Sequence, residues 1–199
     1  MKQIFEITDQ EIIEQMMSSA QYATLGLSSN NTPYSIPVNF VYEDNVVYFH
    51  GSKKGRKMEA IRANPKVSLS IVENFSFIPS YFSSTEELAC PATQFFKSIV
   101  IDGEIAIVEE REEKIKALSL LMQKHQPAGY YRDFHESAYE KMINATAILR
   151  VDIKELRAKF KFGQHLSDER FAMIIENLQK RDSGVDSGTI AMMKQFRQS

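Results

Sequence analysis

The chain carries a single cysteine, Cys90, among 199 residues. That scarcity excludes an intramolecular disulfide and any zinc or iron–sulfur centre built from several cysteines, and it fits a reducing cytoplasm. No segment approaches the roughly 18 apolar residues of a membrane-spanning helix. Met1-Lys2-Gln3-Ile4-Phe5-Glu6 lacks the apolar stretch of a secretory signal, so a soluble protein retained inside the cell is expected. Neither sign of charge is in excess: 24 Lys and Arg against 26 Asp and Glu leave a formal net charge of -2. The overall charge therefore favours neither nucleic acid nor an anionic membrane as partner. Ser83-Ser84 has no histidine or acid at a spacing that would make it a nucleophile, which leaves hydrolase chemistry unsupported. No His/carboxylate spacing marks a metal site, no glycine fingerprint marks a nicotinamide-binding unit, and no internal repeat is visible.

What the chain does have is one stretch that outweighs the rest, Phe49-His50-Gly51-Ser52-Lys53-Lys54-Gly55-Arg56-Lys57. The preceding Val46-Val47-Tyr48-Phe49 is β-branched and aromatic, whereas Met58-Glu59-Ala60-Ile61-Arg62-Ala63 consists of helix formers. The basic residues thus sit at a strand-to-helix junction, where free backbone N–H groups and the helix dipole favour an anion and Lys and Arg add charge-assisted bonds. Taken alone, the stretch reads equally as a phosphate cradle or as a solvated basic turn.

Ordinary hydrophobic and charged fractions, 43% and 25%, indicate a folded globular chain with one main core. Thr8 and Glu11 form a capping box ahead of Ile12, Ile13, Met16 and Met17, which lay one apolar stripe on a helix. Strands are expected at Tyr22 to Ser28, Tyr34 to Tyr42 and Val46 to His50, joined by the turns Ser29-Asn30-Asn31-Thr32-Pro33 and Glu43-Asp44-Asn45. Pro37 argues for an edge or a bulge in the second. Pro65 should end the next helix near Ala63-Asn64, and a fourth strand follows from Lys66 to Val72. Residues 73–93 read as a long loop, Phe95 to Val108 as a strand bent or bulged at Asp102-Gly103, and Ala145 to Val151 as the sixth strand. Glu109 to Glu113 reads as the solvated acidic start of a helix buried through Ile115, Leu118, Leu121 and Met122. Beyond it, Lys159-Phe160-Lys161-Phe162 alternates, Ser167-Asp168-Glu169 caps a helix with Phe171, Ile174, Ile175 and Leu178 on one face, and Asp186 to Phe196 forms a last, weaker helix. The count is six antiparallel strands closing a small barrel, with helices laid against it.

Three pieces of this chain resemble the FMN-binding split β-barrels related to pyridoxamine 5′-phosphate oxidase, within them the 5-nitroimidazole-resistance-like branch. They are Pro37-Val38-Asn39-Phe40 followed by Tyr48-Phe49-His50-Gly51 and Gly55-Arg56-Lys57; Phe96-Lys97-Ser98-Ile99-Val100 with Gly103; and the helix from Glu113 to Met122. The resemblance implies a mainly β, α+β fold: a six-stranded antiparallel split β-barrel with flanking helices and a helical C-terminal extension, divided as residues 1–152 and 153–199. It implies FMN at a homodimer interface. His50, Gly51, Gly55, Arg56 and Lys57 would approach the phosphate arm, Ser98 would assist from the same or the second subunit, and the backbone of Val38 and Asn39 would face the ring. Lys161 and Gln164, in Lys159 to Gln164, look like the closing basic-glutamine segment of related FMN-binding regulators.

The function so implied is an oxidoreductase in which FMN takes electrons from NAD(P)H or another donor and reduces a small molecule such as a nitro-aromatic. The alternative is a non-catalytic FMN- or haem-binding regulator of the same fold. Vitamin B6 oxidation is disfavoured, because the oxidases that make pyridoxal phosphate carry an Arg-rich C-terminal clamp with a Trp and this chain has no Trp. His50 is the candidate catalytic residue, with a backbone-satisfied structural histidine as its bland reading. His125 is expected at carbonyls of a helix C-terminus, His135 and His165 on the surface or lining a pocket or haem, and Cys90 either as a reactive thiol or as a small buried residue.

Overall fold

The computed structural model describes residues 2–29 and 31–197. Its elements in chain order are β1 (Glu6–Ile7), α1 (Gln10–Ser19), β2 (Tyr22–Ser29), β3 (Thr32–Asn39), β4 (Val41–Glu43), β5 (Val46–Ser52), α2 (Arg56–Ala63), β6 (Lys66–Ile78) and β7 (Thr93–Ile107). They continue with α3 (Arg111–His125), α4 (Glu140–Ala145), β8 (Thr146–Lys161), α5 (Asp168–Arg181) and α6 (Asp186–Arg197). The strands follow the order β3-β2-β6-β7-β8-β5-β4, with β1 added against β8. Antiparallel registers join β2 to β3 and β6, and β5 to β4 and β8.

Among the described residues the sheet has eight strands, where the sequence pattern indicates six. The run from Tyr34 to Tyr42 is two strands because it changes partner at Phe40: Asn39 still pairs with Tyr22 of β2, whereas Val41 pairs with Tyr48 of β5. Phe40 itself is fully buried. The other addition, β1, is two residues long and pairs with Ala158 and Lys159, too short to leave a periodic trace. Lys159-Phe160-Lys161 is the end of β8, and β6 runs on to Ile78 through part of the expected loop. Pro37 lies on β3, an edge strand, where its missing N–H costs no ladder bond. Asp44 and Asn45 both have positive φ, 50° and 63°, in a two-residue hairpin that pairs Glu43 with Val46. Asn30, in the other expected turn, lies outside the described residues.

The chain forms two compact units, one of Asp9–Ile71 and Ile99–Arg157, the other of Met1–Thr8, Val72–Ser98 and Ala158–Ser199. In the first, α1 starts on Asp9 rather than on a Thr8–Glu11 box: the Asp9 carboxylate accepts from the N–H groups of Glu11 (2.9 Å) and Ile12 (3.3 Å). Its buried side chains are Ile13, Met16 and Met17. Helix α3 is capped by Glu110 and packs Ala117 and Leu121 into a cluster with Val41, Val46, Tyr48 and Ile148. Its acidic first turn is not wholly solvated. Glu113 accepts from the Tyr48 hydroxyl at 2.9 Å and from Arg150 at 3.1 Å, and burial together with that bond pushes the Tyr48 phenol up to about 12. Strand β7 runs unbroken through Asp102-Gly103. A Cβ at Gly103 would lie 2.6 Å from the Asp152 carbonyl and 2.8 Å from a Val151 methyl, so close backbone approach, not a bulge, demands glycine there.

In the second unit, Phe162 packs edge-on against Phe75 and Phe95 and stacks on Phe196, and Phe196 also meets Phe160. Beside this cluster Asp186, 1% exposed, accepts from Ser76 Oγ, from the Ser183 N–H at 2.9 Å and from two guanidinium nitrogens of Arg181. Thr189 is buried with it and accepts from the Ser76 N–H at 3.1 Å. These bonds pin the start of α6 to β6 and the end of α5.

Candidate functional site: a basic turn between β5 and α2

Helix α2 begins on Gly55, whose φ of 94° and ψ of 177° only glycine adopts without strain. No side chain caps this helix, and the N–H groups of Met58 and Glu59 already bond the Gly55 carbonyl. The N–H groups of Arg56 and Lys57 have no acceptor within the helix. A Cβ on Gly51 would sit 2.1 Å from Lys57 Nζ, so the ammonium group rests directly over the Gly51 backbone. It also stands 5.8 Å from the centre of the Phe49 ring, and burial lowers its pKa. Arg56 stacks on Tyr34 at 4.2 Å. Among the described residues no carboxylate pairs with Lys54, Arg56 or Lys57. Lys53, by contrast, donates to the Asn144 carbonyl and is tied to the fold.

His50 keeps solvent access, yet protein atoms around the imidazole disfavour its protonated form, and the charges of Lys57 and His125 add to that. Its neutral form therefore prevails near pH 7. Val38 is buried in the core and Asn39 is exposed, donating to the Gln21 carbonyl at 2.9 Å; both lie at the end of β3, a strand that approaches β5. Two cavities border Tyr34, of which the smaller opens beside the turn. One of about 360 Å³ is lined by Arg56, Glu59, Tyr34 and Thr32; the other, about 790 Å³, by Tyr34, Pro33, Leu27 and Val67 with Asp102 and Gly103. Tyr34 is common to both, and sequence reasoning gave it no role because an aromatic on an edge strand reads as ordinary packing.

The three remaining residues that the resemblance singles out lie in the other unit. Ser98 Oγ reaches the Lys159 carbonyl at 3.4 Å, and Lys161 donates to the Thr93 hydroxyl. Gln164 spends both ends of its amide on the backbone, accepting from Phe162 N–H and donating to the Phe160 carbonyl, each at 2.8 Å. Of the other singled-out groups, His125 faces the Phe40 carbonyl (3.3 Å) rather than those of its own helix. His135 is exposed between Asp133 and Glu112, and Cys90 is exposed, not buried. Lys124 went unnoticed in the sequence; it donates to the Met17 carbonyl at 2.9 Å beside the Phe40 ring, and burial brings its pKa down to about 8.

An antiparallel α+β sheet of split-barrel type, with a basic strand-to-helix turn at its fifth strand, defines the class. The chain belongs to the pyridoxamine 5′-phosphate oxidase family, whose model matches residues 9–160. It is 27% identical over 122 residues, 59% of this chain and 70% of the other, to an uncharacterised protein of Rhizobium meliloti (strain 1021). Its fold is similar to that of a candidate 5-nitroimidazole antibiotic resistance protein of Bacteroides thetaiotaomicron VPI-5482, with a TM-score of 0.64, 22% identity, and coverage of 77% of this chain and 85% of that one. A flavocytochrome of Azotobacter vinelandii gives 0.65 at 23% identity, covering 79% and 69%. An FAD- and haem-binding protein of Mycobacterium smegmatis gives 0.64 at 17%, covering 78% and 73%. Among the described residues no helix is long and apolar enough to cross a membrane.

Proposed function

We propose that this chain is an FMN-binding flavoprotein, acting as a homodimer, that reduces a small molecule such as a nitro-aromatic at the expense of NAD(P)H or another donor. The observation that carries the reading is the pair Arg56 and Lys57 at an uncapped helix start, without a carboxylate partner among the described residues, Lys57 lying over the bare backbone of Gly51. Two unneutralised cations beside free N–H groups fit a phosphate monoester. Flavin and haem in the names of the Azotobacter and Mycobacterium proteins support a flavin, and the Mycobacterium protein's FAD marks the larger nucleotide as the competing cofactor.

When bound, FMN supplies the electron-transfer chemistry. The chain's own residues hold and orient it: Lys57 and Arg56 take the phosphate, Gly51 leaves room for the Lys57 ammonium, Gly55 sets the turn, and Tyr34 borders both the cavity beside Arg56 and a larger, mainly apolar groove. His50, kept neutral, offers one donor and one acceptor to the flavin or the substrate. The competing reading is a flavin or haem store or sensor of the same fold. An absorbance spectrum of the protein as purified, followed by NADPH and a nitro-aromatic, separates the two. Bleaching of a flavin band with turnover of the acceptor is expected; a bound flavin or haem that does not turn over favours the store.

A further inference from the structure

A third cavity, open to solvent, lies wholly within the other unit. Its volume, about 580 Å³, is that of a small-molecule site. Lys161 from the end of β8, His165 from the turn that follows and Arg170 from the first turn of α5 all line it, together with the hydroxyls of Ser83 and Thr93 and the thiol of Cys90. No carboxylate lines it, and among the described residues none pairs with Lys161 or Arg170. The fixed partners are neutral: Lys161 donates to Thr93 Oγ1, and Arg170 donates through Nε to the Ser83 carbonyl at 2.9 Å and through Nη2 to its hydroxyl at 3.3 Å. These bonds aim the two cations without neutralising them, and the guanidinium keeps further N–H groups free. His165 stands edge-on to Phe5 at 5.3 Å; burial disfavours its charged form, and Lys2, Lys161 and Arg170 add to that. Phe95 and Ile174 supply apolar wall.

We propose that this cavity binds a small organic oxyanion, a carboxylate or phosphate monoester bearing an apolar group, with Lys161, Arg170 and His165 on the charged end and Phe95 and Ile174 against the rest. The proposal stands apart from the flavin site and needs no cofactor. A basic cleft filled only with water is the alternative it must beat.

Cys90 allows a direct test, because it is the chain's only thiol, is exposed and lines the cavity. The anionic reagent iodoacetate and the neutral iodoacetamide are compared on the full-length protein at low salt, with 2-mercaptoethanol as reference thiol. A cationic cavity raises the local anion concentration, so the iodoacetate-to-iodoacetamide rate ratio at Cys90 should exceed that of the reference by a factor of roughly ten or more. Phenyl phosphate or benzoate, but not benzyl alcohol, should slow alkylation, and their relative potency tells phosphate from carboxylate. The elevated ratio should fall toward the reference in Lys161→Met, chosen because Arg170 also braces Ser83, whereas His165→Gln, at a ring held neutral, should leave the ratio near that of the wild type. Protection should persist in Arg56→Ala/Lys57→Ala, which excludes the basic turn as its source. A ratio at Cys90 equal to the reference, or protection unchanged in Lys161→Met, overturns the proposal.

Discussion

Alanine at both Arg56 and Lys57 is expected to weaken FMN binding about 100-fold or more, since each charge-assisted bond to phosphate contributes about 1.5–3 kcal/mol and about 1.4 kcal/mol is a factor of ten. Flavin fluorescence quenching reads the change, with circular dichroism to show that the fold is kept. The fold should survive because Arg56 is exposed, its contact being a stack on Tyr34, and Lys57 contributes a half-buried stem. Arg62→Ala, in the last turn of the same helix, should leave affinity unchanged. Gly51→Ala offers a finer probe. Its new methyl group would displace only the flexible end of Lys57, so affinity should drop while stability barely moves. An affinity that ignores both changes would mean the turn is merely solvated.

The second large effect concerns stability. Asp186→Ala should cost about 3 kcal/mol, the lower end of the range for breaking a buried ion pair, because Arg181 retains access to water. For a chain of this size that corresponds to a fall of roughly 6–12 °C in melting temperature. Glu176→Gln, which removes an exposed ion pair to Lys180, should leave the melting temperature almost unchanged. The same carboxylate sets an acid dependence. Arg181, then Ser76 and Ser183, hold the Asp186 pKa well below the ordinary carboxylate range, so the unfolded chain takes up its proton first as pH falls. The stability contributed by Asp186 is complete above about pH 4 and declines below it. Calorimetry between pH 3 and 7 should show the wild type losing its advantage over Asp186→Ala at the acid end; a constant difference would contradict the assignment.

The basic turn was legible because its elements are contiguous: a β-branched strand, two glycines, four cations and a run of helix formers lie within one short stretch. Helix α2 stops at Ala63 ahead of Pro65, and Pro37 lies on an edge, because proline's constraints act on its nearest neighbours. What escaped was long-range. Phe40 joins β3 to β4 with no turn residue to mark the change of partner, so the sequence reads as one strand where there are two. Ser76 and Asp186 stand 110 residues apart, and neither carries a local pattern that foretells their bond. The oxyanion cavity draws Ser83 and Cys90 from one stretch and Lys161, His165 and Arg170 from another far along the chain, and only the fold places them round one space. Thr8 shows the limit of motif reading on a smaller scale, since a better-placed acceptor, Asp9, took the cap.

The turn between β5 and α2 is proposed to hold the phosphate of a flavin. Riboflavin carries the same ring and ribityl chain without that phosphate, so titrating the wild-type protein with each ligand at low salt isolates the group in question. FMN should bind at least about 100-fold more tightly than riboflavin, with the gap narrowing as salt rises and nearly closing in Arg56→Ala/Lys57→Ala. Equal affinity for the two flavins, or no binding of either, would mean that the turn holds no flavin phosphate.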